Sequence, residues 1–327
     1  MSEEPPFDRT PPAATGRAQT LAPGVRRLLA PNPGPFTFTG TCSYIVGHGR
    51  VAVIDPGPAD EGHLAALREA LAGESVEAIL VTHTHRDHSS LAPALQRLTG
   101  APTYGQGPHR PARPLALGEV NALDAGADHD FKPDRLLTDG EAVQGTGWGL
   151  AAVATPGHCA NHLAFALEGE ALLFSGDHVM AWSTSIVAPP DGAMGDYMAS
   201  LQKLVGRPET LYLPGHGNPV REPQRFLRGL IQHRRMREAA ILKALADGPA
   251  EIPAIVARVY AGLDPALIGA AALNTFAHLE DLVARDLAAT DGAPTLAGRY
   301  SLVGGASARV RSSSRKPATR RALAPKS

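Results

Sequence analysis

Val81-Thr82-His83-Thr84-His85-Arg86-Asp87-His88 sets three imidazoles and one carboxylate within six residues. The apolar run Ala78-Ile79-Leu80-Val81 leads into it, and Ser89-Ser90 leads out into a helical pattern. A buried strand that ends in such a cluster aims its donors at one point above a sheet. Mixed nitrogen and oxygen donors suit a borderline divalent cation, zinc first, with iron or manganese as further options. A polar turn can carry one His or an H-x-H pair, but the spacing H-x-H-x-D-H is far more specific.

The same punctuation recurs along the chain. Residues 51–54 read as a strand ending at Asp55-Pro56-Gly57, paired with 41–46 across Gly47-His48-Gly49-Arg50. Residues 150–154 end at Thr155-Pro156-Gly157-His158. Residues 163–167 pair with 171–174, which run into Ser175-Gly176-Asp177, and 210–213 end at Pro214-Gly215-His216. In each case a short apolar strand stops at glycine beside a His or Asp. Glycine lets the backbone turn sharply and approach a ligand closely. Packing alone does not demand four such strand ends.

Between these strands, Leu64, Leu67 and Leu71 mark a helix over 63–71. Leu91, Leu95 and Leu98 mark another, stopped at Gly100. Residues 101–118 read as a Pro- and Gly-rich loop and 124–130 as polar. From 224 the character changes: a long charged helix over 224–246 ends at Asp247-Gly248-Pro249, and helices follow over 252–260 and 265–288. A turn over 290–295 and a strand over 299–303 complete three helices and a hairpin, the plan of a winged helix. The expected division is a disordered arm over 1–20, a catalytic domain over 21–223, a winged helix over 224–303 and a basic disordered tail over 304–327.

Length and composition agree with a folded, non-membrane protein. The chain has 327 residues, 43% of them hydrophobic, with a mean hydropathy of −0.11, and no apolar run approaches the roughly 18 residues a membrane helix needs. The acidic, proline-rich start has neither the pattern of a secretion signal nor that of a transit peptide. Cys42 and Cys159 are too few and too far apart for a disulfide framework. Together these predict a cytoplasmic location. Net charge is −1 but uneven: seven basic residues lie in 305–327, and the remainder carries 24 basic against 32 acidic residues. An acidic body is a poor general nucleic-acid surface, although Arg221, Arg225, Arg228, Arg234, Arg235 and Arg237 could form a local basic stripe.

Residues 82–88, Thr155–His158, Phe174–Asp177, Pro214–Gly217 and Asp55–Gly57 together resemble the metallo-beta-lactamase superfamily over roughly residues 40–220. A narrower resemblance is to the beta-lactamase-like-protein-2 subgroup. It rests on T-P-G-H-x-x-x-H over 155–162, on Asp196-Tyr197-Met198-x-Ser200-Leu201, and on His233-Arg234-Arg235-x-Arg237-Glu238. The resemblance implies an α+β fold, an αββα sandwich with metals at one edge of two sheets, followed by the winged helix. Carried over residue by residue, it implies that His83, His85 and His158 hold one zinc, that Asp87, His88 and His216 hold a second, and that Asp177 bridges them. Asp55 is implied to orient a ligand imidazole. Asp87 or Asp177 would hold the proton of a hydroxide nucleophile.

The bond cleaved is not implied by the metal centre. The subgroup suggests single-stranded RNA cleavage; the alternative is a small-molecule hydrolase acting on a thioester, lactone or ester, with glyoxalase-II-like chemistry. A third class, a binding protein with a fossil site, is opposed by seven intact ligands. His162 reads either as a substrate contact or as an ordinary hydrogen-bonded His, and His178 as a neighbour of ligands rather than a ligand. His48, His63, His109 and His129 read as solvated, Tyr197 as core, and Cys159 as a residue that could face the pocket but lacks an evident base.

Overall fold

The computed structural model describes residues 5–12 and 14–304. The first sheet runs β1 (Gln19–Ala22), β2 (Val25–Leu29), β3 (Cys42–His48), β4 (Arg50–Ile54), β5 (Ser75–Leu80), β6 (Thr103–Gly105) and β7 (Arg135–Leu136), in that spatial order. β1 to β4 pair antiparallel, and β4 to β7 pair parallel. Helices α1 (Glu61–Ala70), α2 (Arg86–Ser89) and α3 (Ala92–Thr99) lie among the parallel strands. The second sheet contains β8 (Ala142–Gly145), β9 (Trp148–Ala154), β10 (Leu163–Leu167), β11 (Leu172–Gly176) and β12 (Leu211–Pro214), ordered β12-β11-β10-β9-β8, with α4 (Met194–Leu204) before β12.

Strand alternation explains the layering, since successive side chains point to opposite faces. Tyr44, Val46, Ile54 and Leu80 of the first sheet meet Leu150, Leu163, Phe165 and Phe174 of the second in one core between the sheets. Ile45, Val51, Val53 and Ile79 face the other way and bury Leu95 of α3. On the far side, Val153, Ala164, Leu173 and Tyr212 take up Tyr197 and Leu201 of α4 with Phe226, Leu227 and Leu230. Helix, sheet, sheet, helix is the expected αββα sandwich.

The C-terminal unit contains α5 (Pro223–Ala246), β13 (Ala250–Glu251), α6 (Ile252–Val259), α7 (Ile268–Ala284), β14 (Ala288–Thr290) and β15 (Arg299–Leu302). Its own core is built from Ile241, Leu245, Ile255, Phe276, Leu279, Leu282 and Tyr300, and the strands order as β13-β15-β14. This is the expected winged helix. Helix α5 is shared, however: Phe226 to Ile231 pack on the second sheet's outer layer and Ile241 to Leu245 in the winged helix. The division expected at 223/224 therefore cuts a helix whose first half belongs with the sandwich by packing.

Residues 5–12 do not form the disordered arm expected over 1–20. The Phe7 and Phe226 rings meet edge-on at 5.9 Å, and Asp8 N donates to Ala181 O at 2.9 Å. Composition reads this segment as solvated, but a single aromatic anchor buries enough apolar surface to place it. The tail expected over 304–327 falls outside the described residues from 305 onward. Among the described residues no helix is long and apolar enough to cross a membrane.

Candidate metal centre

Strand β5 delivers the histidine cluster. Its last residues are fully buried, and the chain leaves the sheet at Val81-Thr82, so His83 and His85 project from the sheet edge and α2 carries Asp87 and His88. The ends of β9, β11 and β12 bring His158, Asp177 and His216 to the same edge. His83 Nε2 and His158 Nε2 lie 3.0 and 3.1 Å from His85 Nδ1. His88 Nε2 and His216 Nε2 each lie 3.3 Å from Asp87 Oδ2. Asp177 stands between these trios: Oδ1 is 3.5 Å from His88 Nε2, and Oδ2 is 3.3 Å from His216 Nε2, 3.7 Å from His158 Nε2 and 4.0 Å from His83 Nε2.

The backbone is shaped for this approach. A Cβ on Gly215 would lie 2.3 Å from Asp177 Oδ1 and 2.7 Å from His88 Cε1, so only glycine lets β12 pass so close to the donors.

Each imidazole has its outward nitrogen engaged, which frees the inward nitrogen. His83 Nδ1 meets Thr82 Oγ1 at 3.0 Å, His88 Nδ1 meets Asp55 Oδ2 at 2.9 Å, His158 Nδ1 meets Ile186 O at 2.7 Å, and His216 Nδ1 meets Gly40 O at 3.2 Å. His85 Nε2 lies 3.3 Å from Cys159 Sγ. Partners of this kind fix tautomer and ring orientation around metals. Thr41 Oγ1 donates to Asp87 Oδ2 at 2.9 Å.

The electrostatics divide the site in two. Burial, reinforced by neighbouring imidazoles, pushes His83 well below the usual histidine range and His85 down to about 3; burial also lowers His158. These three are neutral donors at neutral pH. Burial opposes ionisation of Asp177 and Asp87, but His88 and His216 outweigh it and hold both carboxyls well below the usual range. The carboxylates in turn overcome burial to raise His88 well above its usual range and His216 to about 10. His88 Nε2 and Asp177 Oδ1 are buried without a hydrogen bond of good geometry. Orphaned buried polar atoms are rare and call for a partner. These donors satisfy what a divalent metal requires, with their ligand atoms grouped within 4.8 Å as His83–His85–His158–Cys159, His83–His88–Asp177 and Asp87–His88–His216.

All seven ligands inferred from the sequence meet at this edge, and Asp55 stands behind His88. His162 turns out to be the hydrogen-bonded kind: Nδ1 meets Thr155 Oγ1 at 2.8 Å, and Nε2 accepts from Asp177 N at 3.1 Å. His178 is buried against the Tyr197 ring at 4.8 Å, away from the donor groups, and Tyr197 is core as expected. Two expectations fail. His63 is not solvated; it is 1% exposed and 2.9 Å from Ser43 Oγ. His109 is held between Thr84 Oγ1 at 3.1 Å and Asp191 Oδ1 at 3.4 Å. Tertiary contacts decide both, and no local pattern announces them. The arginine stripe also splits: Arg234 is buried and Arg237 donates to Val259 O, while Arg221, Arg225, Arg228 and Arg235 stay exposed.

Comparison with known proteins agrees with this geometry. Residues 36–216 match the Metallo-beta-lactamase superfamily, and residues 252–297 match the Beta-lactamase associated winged helix domain. The beta-lactamase-like protein 2 homolog of Drosophila melanogaster is 32% identical over 272 residues, which is 80% of this chain and 88% of that protein. An atrochrysone carboxyl ACP thioesterase of Cryptosporiopsis is 31% identical over 230 residues, 69% of this chain and 64% of its own. The crystal structure of a metallo-beta-lactamase family protein from Thermus thermophilus superposes with a TM-score of 0.70 at 26% identity, covering 86% of this chain and all of that one. On the motifs, the converging donors and the extent of these matches, the chain belongs to the metallo-beta-lactamase superfamily of hydrolases.

Proposed function

We propose that this chain is a dinuclear zinc hydrolase of acyl thioesters. The observation that carries the hydrolytic part is the convergence of two donor trios with Asp177 between them. Zinc bound there would bring the pKa of a coordinated water to about 7 and, by polarising a substrate carbonyl oxygen, make its carbon more electrophilic. His83, His85 and His158 would hold one ion, and Asp87, His88 and His216 the other, with manganese or iron as alternatives for the same donors.

The two carboxylates take different tasks. The Asp177 side chain is 8% exposed and His162 braces its backbone amide, so it positions the centre. The Asp87 side chain is 26% exposed, the more accessible of the two carboxylates. With zinc bound, Asp87 would take the proton that water gives up on adding to the acyl carbon, and would pass it to the departing thiolate as the C–S bond breaks.

The thioester choice rests on the thioesterase relative, which this chain matches over only part of that protein's length. A second reading, cleavage of single-stranded RNA, is favoured by the exposed arginines of α5. Arg225, Arg228 and Arg235 share one helical face, with Arg221 exposed just before the helix, and together they offer positive charge to phosphate. Zinc content measured by elemental analysis, together with paired assays on a simple acyl thioester and on single-stranded RNA, separates the two. The expected result is thioester hydrolysis that disappears with bound zinc in Asp177→Ala. RNA cleavage that is lost in the same variant, with no thioester turnover, would transfer the assignment to the phosphodiester.

A further inference from the structure

Two polar side chains of the winged-helix unit reach the backbone that aims a metal ligand. Arg234 of α5 is 2% exposed. Its Nη2 donates to Ser185 O, its Nη1 donates to Asn274 Oδ1 at 3.1 Å, and its Cζ lies 5.0 Å from the Tyr197 ring centroid. Asn274 of α7 accepts from Val187 N at 3.1 Å through the same Oδ1, and its amide donates to Ala270 O at 3.1 Å. Between Ser185 and Val187 lies Ile186, whose carbonyl receives His158 Nδ1 at 2.7 Å.

We infer that Arg234 and Asn274 are positioning residues for the metal centre, acting from the winged helix through residues 185–187 on His158. The reasoning is geometric. The Ile186 carbonyl and the Val187 amide belong to one peptide unit, which is planar and trans, so they point in opposite directions. Holding the amide on Asn274 therefore holds the carbonyl on His158. Hydrogen bonds linked in this way polarise one another along the chain. Arg234 fixes the preceding carbonyl and at the same time orients Asn274. Ser185 adds a third tie, its hydroxyl donating to Asp177 O and to His178 O. Among the described residues no carboxylate pairs with this buried guanidinium, which is costly, and a clamp on the ligand-bearing segment gives that cost a purpose. On this view the winged helix is part of the metal centre and not a detachable module.

The inference rests on the reading that His158 ligates zinc, and the test keeps the two apart. Full-length protein stripped of metal is titrated with zinc against a chromophoric chelator, resolving two equivalents. Asn274→Leu removes the acceptor; Asn274→Asp keeps it for both Val187 and Arg234; Arg234→Lys leaves a single point donor where two were used. Loss of a partner that orients a ligand His weakens metal binding roughly 10–100-fold. The expected result is that Asn274→Leu weakens one equivalent by that factor and spares the other, Arg234→Lys falls between, and Asn274→Asp restores wild-type binding. Wild-type affinity in both Asn274→Leu and Arg234→Lys would overturn the clamp, as would equal weakening of both equivalents. A wild-type chain that takes up no zinc would overturn the metal reading itself.

Discussion

Asp55 Oδ2 stands 2.9 Å from His88 Nδ1, and it does so from a left-handed backbone with φ 50°. The same carboxylate accepts from Thr82 N and Thr82 Oγ1, each at 2.7 Å. Three donors converge on one carboxylate, which keeps the His88 proton on Nδ1 and leaves Nε2 for a metal. Asp tolerates the left-handed region better than most residues, and Asn does so equally. Asp55→Asn should therefore fold. Its amide would replace an acceptor with a donor facing Nδ1, favouring the wrong tautomer. The second zinc equivalent should weaken roughly 10–100-fold. Elemental analysis after dialysis should find about one ion per chain; retention of two in Asp55→Asn would remove Asp55 from the centre.

Gly157 precedes His158 at φ 135°, and a Cβ there would lie 2.3 Å from Tyr197 Cα and 2.4 Å from Tyr197 N. These are backbone atoms of α4, which cannot swing aside. Gly157→Ala should combine backbone strain with overpacking and cost about 2–5 kcal/mol. Gly73 provides the control: its φ is 80° but nothing among the described residues lies within 4 Å, so Gly73→Ala should cost only about 1–2 kcal/mol. Urea unfolding of the two variants checks the ranking, and an equal loss would mean that α4 gives way.

The metal-binding edge was legible because its donors are side chains placed where apolar strands stop at glycine. His83, His158, Asp177 and His216 all announce themselves in that way. Of what orients them, only Asp55 was legible. The Ile186 and Gly40 carbonyls carry no residue signature, and Cys159, Arg234 and Asn274 acquire their positions only when distant elements pack. The stretch 101–147 resisted reading because β6 has three residues and β7 two, too short for any period to show. The hairpins, α1, α3 and the two long C-terminal helices are readable because their apolar residues recur at regular spacing between turn residues. Leu98 is the exception, 51% exposed on the helix that buries Leu91 and Leu95.

Both cysteines are fully buried, and burial first of all pushes the Cys159 thiol well above its usual range. Thiolate is the reactive form, so the folded protein should be inert to an aromatic disulfide reagent at pH 7.5. Unfolding in urea should release two thiols. Rapid labelling of Cys159 in the native state would show that its contact with His85 is not maintained.

The winged helix should make the protein sensitive to acid. His278 on α7 is 1% exposed, and among the described residues both ring nitrogens lack a hydrogen-bond partner. Burial pushes it down to about 3, helped by the positive charge of Arg234 and Arg285 and by His233 and Arg237 nearby. In the unfolded chain the same group titrates near 6.5. Below that value the unfolded state takes up a proton that the folded state refuses, so stability declines as pH falls. The decline from this group alone approaches about 1.4 kcal/mol per pH unit between pH 6 and roughly pH 3.5. His278→Leu should abolish that component and, with no orphaned nitrogens to bury, be at least as stable as wild type at pH 7.5. Urea unfolding of both proteins at pH 7.5, 5.5 and 4.5 reads the difference, from which acid release of metal cancels. A difference that stays constant across those pH values would mean that His278 accepts a proton in the folded state.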